Sequence, residues 1–463
     1  MGERELVGLA GLFFLFILIG FRIPVALSML VAGILGSFAL SIVAPFLKFG
    51  PYILQFKSSL WNNIANYDLS VVPLFILMGF LAAEAGLSRD LFAGFSALFG
   101  RIRGGVAMAA IGACAGFGAV SGSSIATAST MSRVSLPELS KLKYDDGLAT
   151  GTLAAGGTLG ILIPPSVALV IYAIVVEASI VEMFQAAILP GLLAVICFIT
   201  VIWLRVRLNP ELAPEPKVLS HAEVKQALWR LVPVLLIFGT IIAGLGMGLF
   251  TPTPAAAMGV LVILIFGFLS RFFSRTYLTI HKLKNSILST AKTAGMIYFI
   301  LFAADVLKGF FSRSGLPVAL TDLVANSGFE PYLILALMLL LLIILGCFME
   351  SLSMILVVIP FFWPTLIELN GGDYITAADA AFGMTADQLK IWFGVLALVV
   401  VELGLITPPV GLNVFVIKSF VPDTPITKIF KGVMPFFAVE IFRVGLLLLF
   451  PALCLLLPMY LSG

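Results

Sequence analysis

Two stretches carry the residues best placed to do chemistry. Residues 159–165 read Leu-Gly-Ile-Leu-Ile-Pro-Pro, and residues 403–409 read Leu-Gly-Leu-Ile-Thr-Pro-Pro. Each lies inside a long apolar run. A proline pair removes two backbone donors and disfavours the α conformation just before it. Each run is therefore expected to be two half-helices joined by an unwound segment, at about 148–176 and about 389–417. Two further stretches, Gly-Ala-Val-Ser-Gly-Ser-Ser at 118–124 and Gly-Cys-Phe-Met-Glu-Ser at 346–351, are small and polar between apolar arms too short to cross alone. They read as tips of re-entrant hairpins, at about 105–135 and about 333–366.

A helix that ends inside a membrane leaves partially negative carbonyls, and one that begins there leaves partially positive amides. With the first tip's incoming arm ending near 116–120 and the first half-helix near 156–158, the carbonyl ends and their hydroxyls make oxygen cages of the kind that hold Na+. One cage would use Gly118, Ser121, Gly156 and Thr158; its counterpart would use Gly346, Glu350, Ser351, Gly404 and Thr407. The starting ends, at Gly122, Ser123 and Ser124 and at Pro165 and Pro409, can hold a substrate carboxylate without a cationic side chain. Asn413 adds an amide and a carbonyl beside the second break. The competing reading is that glycine and serine here only permit close helix packing, and for any single serine both stay open. The breaks themselves favour a binding site, because lipid cannot satisfy freed backbone groups.

Glu350 and Glu402 lie in or beside apolar runs, where a carboxylate is costly and usually functional. Glu350, at a hairpin tip, reads as a cation-coupling or gating group. For Glu402 a binding role and simple pairing with a hydroxyl stay equal. Asp305 reads as a solvated acid near a boundary, and Arg443 as a snorkelling side chain with its guanidinium at the headgroups.

The 463 residues are 61% hydrophobic and 11% charged, with mean hydropathy +1.15. A soluble domain carries roughly 25% charge, so this is an all-α polytopic membrane protein. No basic stripe with interleaved aromatics suggests nucleic acid. Cys114, Cys197, Cys347 and Cys454 lack metal-ligand spacing and read as small apolar residues. The first apolar run has no small-residue cleavage site after it and reads as a retained helix.

Spans are expected at about 6–21, 23–43, 68–85 and 184–204, with an interfacial amphipathic arm at 46–67. Residues 205–230 form a proline-rich linker between a first half, 1–204, and a second, 231–463. The second half repeats the first. Pro24 pairs with Pro254, the Gly-Leu-Ser at 86–88 with Gly-Leu-Pro at 315–317, and Gly118 with Gly346, in order and at nearly equal separations. The double prolines are slightly further apart, which places an insertion around 370–387. Most Lys and Arg fall on one side of this layout, including 205–230 and 271–292, so that side is cytoplasmic. Both termini then lie outside, and the two halves are inverted.

These motifs resemble the signatures of the large membrane (permease) subunit of tripartite ATP-independent periplasmic (TRAP) transporters. The resemblance rests on residues 118–126, 160–166 and 404–413, with Gly-Leu-Phe-Thr-Pro-Thr-Pro-Ala-Ala-Ala at 248–257, and it covers essentially the whole chain. It implies the transport subunit of a Na+-driven importer in the bacterial inner membrane. A small four-helix membrane subunit and a periplasmic substrate-binding protein would be its partners, organic acids its substrates, and an elevator motion its mechanism. The family's second hairpin carries Gly-x-Phe-x-Asp; here Glu350 keeps the charge and adds a methylene.

The alternative in the same class is a stand-alone ion-coupled organic-anion carrier without a binding protein. An intramembrane enzyme is disfavoured. His221 and His281 lie in polar segments, and no His-Glu-x-x-His motif or base beside the serine run is present. An ATP-driven pump is disfavoured by the lack of a Gly-x-x-x-x-Gly-Lys-Ser/Thr loop. A passive channel would not need matched breaks.

Overall fold

A computed structural model describes residues 2–216, 220–246, 248–270 and 277–461. Part of the linker and the start of the second basic segment, 217–219 and 271–276, lie outside the described residues. Every regular element among those described is helical. In chain order they are α1 (Glu3–Gly20), α2 (Val25–Val43), α3 (Phe49–Ala65), α4 (Val71–Ala85), α5 (Leu87–Phe99), α6 (Gly105–Ser121), α7 (Ser124–Lys141), α8 (Asp146–Leu162), α9 (Val167–Val176) and α10 (Ile180–Leu208). Then follow α11 (His221–Gly246), α12 (Pro252–Leu269), α13 (Ile280–Ser314), α14 (Leu316–Ala325), α15 (Pro331–Gly346), α16 (Ser351–Asn370), α17 (Ala386–Gly404), α18 (Leu412–Lys418), α19 (Ile426–Leu449) and α20 (Ala452–Leu461). Eight described helices are long and apolar enough to cross a membrane, and α8 with α9, bent by 45°, can make a ninth. Large apolar side chains such as Phe13, Phe38, Leu236 and Leu340 point outward, as a hydrocarbon solvent permits.

The chain leaves the helix at both double prolines, after α8 and again after α17. Helical hairpins precede them: α6 and α7 meet at Gly122 and Ser123, and α15 and α16 meet at residues 347–350. Gly122 has φ +58, a left-handed conformation that glycine adopts at low cost. Ser123 then caps α7, its Oγ accepting from the Ala126 N–H at 3.4 Å. All of residues 147–162 in α8 are buried, and most of α17 is too. The small residues of α8 make this possible. A Cβ on Gly151 would lie 2.4 Å from the Gly432 carbonyl carbon, so only glycine lets α8 and α19 approach this closely.

The interfacial arm is α3, and one tyrosine ties it down. Tyr52 is buried, and its hydroxyl is 2.6 Å from the Val306 carbonyl and 3.3 Å from that of Gly33. Asn63 of the same helix donates to Asp305, 2.6 Å away on α13, and Asp305 is exposed.

Three features add to or depart from the layout read from the sequence. Residues 87–99, outside every expected span, form α5. Its Leu87, Ser88, Leu91 and Phe92 are buried, two pairs at the i, i+4 spacing of one helical face. Lys282, Lys284 and Lys292, in the basic segment read as cytoplasmic, lie within the long α13. Arg443 does not snorkel. It is fully buried, donating through Nε at 3.0 Å and also through Nη2 to Glu440 one turn earlier, and through Nη1 to the Pro190 carbonyl at 3.0 Å. A carboxylate one turn away serves the guanidinium better than distant headgroups can.

Candidate functional site

The site begins with two glycine crossings. A Cβ on Gly118 would lie 2.7 Å from the Gly160 Cα, and one on Gly404 would lie 2.7 Å from the Gly346 Cα. No real Cβ sits that close to backbone. The incoming arm of each hairpin therefore touches the end of one broken helix, α6 on α8 and α15 on α17, because hydrogen is the only side chain at the contact. Gly346 and Gly404 act here as packing residues.

The freed carbonyls are not where the sequence placed them. α8 does not end near Gly156–Thr158; it runs to Leu162, and its last backbone bond joins the Ile163 N–H to the Leu159 carbonyl at 3.2 Å. Gly156 and Thr158 are mid-helix: Gly156 faces Cys114, and the Thr158 hydroxyl donates to the Ala155 carbonyl at 2.6 Å. The carbonyls of Gly160 and Ile161 are the ones whose helical donors would come from Pro164 and Pro165, which have none. The break acts on the carbonyls four residues before each proline, and the sequence reading had moved it too far back.

After α17 the turn is tighter. The Gly404 carbonyl accepts from the Thr407 N–H at 3.1 Å and the Leu405 carbonyl from the Asn413 N–H at 3.0 Å. The Thr407 hydroxyl donates to the Leu403 carbonyl at 2.6 Å.

Oxygens do gather at the first tip. Ser121 Oγ lies 2.7 Å from Thr127 Oγ1, 3.4 Å from the Ser123 carbonyl and 3.5 Å from that of Gly118. Thr127 was missed by the sequence reading. Its signal is its place on the first turn of α7, one turn after Ser123.

The two tips meet on one carboxylate. Ser124, the first residue of α7, donates to Glu402 Oε2. Ser351, the first residue of α16, donates to Glu402 Oε1 at 2.7 Å. Glu402 is buried and sits at the end of α17. Of the two readings left open for it, the structure shows pairing with hydroxyls, and with one from each hairpin. Between the tips is a cavity of about 20 Å3. Its wall comes from residues 122–125 of the first tip, 350–352 of the second, and one residue from each break, Ile161 and Leu405. That volume suits a water-sized particle and is too small for an organic acid.

The sequence-predicted residues divide accordingly. Gly122, Ser123, Ser124, Glu350 and Ser351 share the tip cavity. Pro165 lines a separate apolar cavity of about 380 Å3 against α10, α11 and α20, and Pro409 is exposed. Asn413 is fully buried against α8, with Nδ2 3.4 Å from the Ala154 carbonyl. Its Oδ1 has no hydrogen-bond partner among the described residues.

Residues 12–453 match the family described as the tripartite ATP-independent periplasmic transporter, DctM component. The chain belongs to this family of TRAP large permease subunits. It is 31% identical to the C4-dicarboxylate TRAP transporter large permease protein DctM of Pseudomonas aeruginosa, over 87% of this chain and 89% of that one. It is likewise 31% identical to the sialic acid TRAP transporter large permease protein SiaM of Vibrio cholerae, over 86% and 87%. With the isethionate TRAP transporter permease protein DctMQ of Oleidesulfovibrio alaskensis it shares 28% identity, over 98% of this chain and 66% of that one. Among solved structures, the Alcanivorax borkumensis YdaH transporter aligns with a TM-score of 0.59 at 14% identity, covering 86% of this permease subunit and 89% of YdaH. That likeness concerns the fold. These relatives are transport proteins, and the apolar helices of this family member suit a multi-pass inner-membrane protein.

Proposed function

We propose that this chain is the transport subunit of a Na+-coupled importer of an organic acid in the bacterial inner membrane. A periplasmic binding protein delivers the substrate, and a small four-helix membrane subunit completes the scaffold. Residues 1–204 and 231–463 act as inverted repeats with both termini periplasmic. The hairpins and broken helices move together as an elevator, carrying the site between the two faces. The observation that carries this reading is the meeting of both hairpin tips on Glu402, beside both breaks. A site to which both halves contribute is what inverted-repeat transporters present for alternating access.

Cargo Na+ fits the oxygen cluster at the first tip: the Thr127 hydroxyl and the carbonyls of Gly118 and Ser123 all lie within hydrogen-bond range of Ser121 Oγ. Gly160, whose carbonyl and that of Ile161 lose their helical donors at the prolines, packs against Thr127 and the Ser123 carbonyl. The second half offers Glu350 and Thr407, and Asn413 Oδ1 is buried with no hydrogen-bond partner among the described residues. The substrate carboxylate belongs at Ser124 and Ser351, where two helices begin.

The test is uptake in proteoliposomes holding the chain and its small subunit. C4-dicarboxylate, sialic acid and isethionate are offered with the cognate binding protein. Uptake is expected only with a Na+ gradient and the binding protein. Equal uptake with K+ in place of Na+ overturns the coupling, and full uptake without the binding protein identifies a stand-alone carrier.

A further inference from the structure

Glu402 holds the place that the preceding reading assigns to a substrate carboxylate. Its two oxygens each take one hydroxyl, from Ser124 and from Ser351. Each hydroxyl stands at the start of a helix, α7 or α16, where unpaired amides favour negative charge. The two hydroxyls together hold one carboxylate, and Glu402 supplies it. The arrangement is one-sided. Thr158 holds the corresponding place before Pro164, and its hydroxyl turns back to the Ala155 carbonyl. One half thus supplies the carboxylate while both hairpins use it. The space between the tips, lined by both of the serines that hold Glu402, is about 20 Å3.

We propose that Glu402 is an internal stand-in for the substrate's carboxylate and clasps the two tips shut. An incoming organic acid takes over the hydroxyls of Ser124 and Ser351, Glu402 releases them, and the tips part to admit the rest of the molecule. No covalent step is involved; one carboxylate replaces another on the same donors. The proposal rests on the organic-acid reading for the identity of the competitor, while the clasp itself exists without substrate. It makes Glu402 a positioning and gating residue. The carboxylate also sets selectivity, because a ligand must match it as an acceptor to displace it. Because the receptor is already occupied, apparent substrate affinity is lowered by the fraction of closed tips.

The experiment uses the full chain in nanodiscs without substrate, with Leu352→Cys on the cavity wall as reporter. The rate of its modification by a small thiol reagent is measured, with the rate of the otherwise identical protein lacking that cysteine subtracted. Glu402→Ala is expected to speed modification about tenfold, the effect of losing a hydrogen bond to a charged group. Glu402→Gln keeps the size of the side chain and weakens its acceptor. It is expected to be faster than the parent and slower than Glu402→Ala, and it serves alone if the alanine variant does not fold. A side chain that only fills space predicts no change for Glu402→Gln. Modification at the parent rate in this folded variant overturns the clasp. In the uptake assay, Glu402→Gln is expected to lower the half-saturating concentration of the transported acid, and an unchanged or raised value also overturns the proposal. Absence of uptake by the parent for every acid offered faults the organic-acid reading, and the thiol rates still decide the clasp.

Discussion

Ser351 and Glu402 stand 2.7 Å apart, joining the first residue of α16 to the end of α17 inside the protein. The same carboxylate reaches across to Ser124 on the other hairpin. A buried carboxylate needs such donors, since leaving it short of one costs more than a surface hydrogen bond is worth. Ser351→Ala and Ser124→Ala are each expected to destabilise the substrate-free protein by about 1–3 kcal/mol. The double variant should depart from additivity because both share one partner. Thermal unfolding in detergent reads this, and strict additivity would separate the two contacts.

The glycine crossings give a steric prediction with its own control. Gly118→Ala and Gly404→Ala each drive a Cβ to 2.7 Å from backbone. Neither backbone can yield without moving a hairpin, so a loss of about 1–3 kcal/mol in stability is expected, together with loss of transport. At Gly239 and Gly445 an added Cβ meets nothing within 4 Å, and alanine there should leave melting and uptake unchanged. Equal melting points for Gly118→Ala and Gly239→Ala would show that the tips do not pack as described.

The buried pair on α19 behaves differently from a surface ion pair. Removing Arg443 leaves Glu440 buried without its cation and also frees the Pro190 carbonyl. Arg443→Met is expected to cost about 3–5 kcal/mol. Arg443→Met with Glu440→Gln should recover part of that, because the stranded charge is gone. Yield of monodisperse protein and the unfolding midpoint distinguish these outcomes; no recovery in the double variant would contradict a charge origin for the loss.

Tyr52 anchors the interfacial arm through its hydroxyl. Tyr52→Phe keeps the ring and removes the contacts to the Val306 and Gly33 carbonyls. A loss of about 1 kcal/mol is expected, confined to α3. Hydrogen exchange should rise in residues 49–65 and stay unchanged in α8 and α17. A uniform rise across the chain would mean that the arm is part of the central packing.

Much of the architecture was legible in the residues because its causes are local. Two consecutive prolines remove two successive donors and bar the α conformation before them, so Pro164-Pro165 and Pro408-Pro409 interrupt their helices, whereas a single proline such as Pro190 is carried inside α10. The apolar runs and the small polar stretches at 118–124 and 346–351 likewise marked hairpins and a membrane protein, and their motifs pointed to the TRAP permease family. Folding decided what depends on which helix faces meet. The Gly156–Thr158 assignment failed because the end of α8 is set by the last donor that can still bond, Ile163, and not by the run of small residues. Arg443 read as a snorkelling side chain until α10 packed against α19 and enclosed it with Glu440. Glu402 was open between two roles in the sequence, and only the convergence of α7 and α16 on α17 gave it two serines, because hydrogen bonds between distant segments are set by packing that no local pattern encodes.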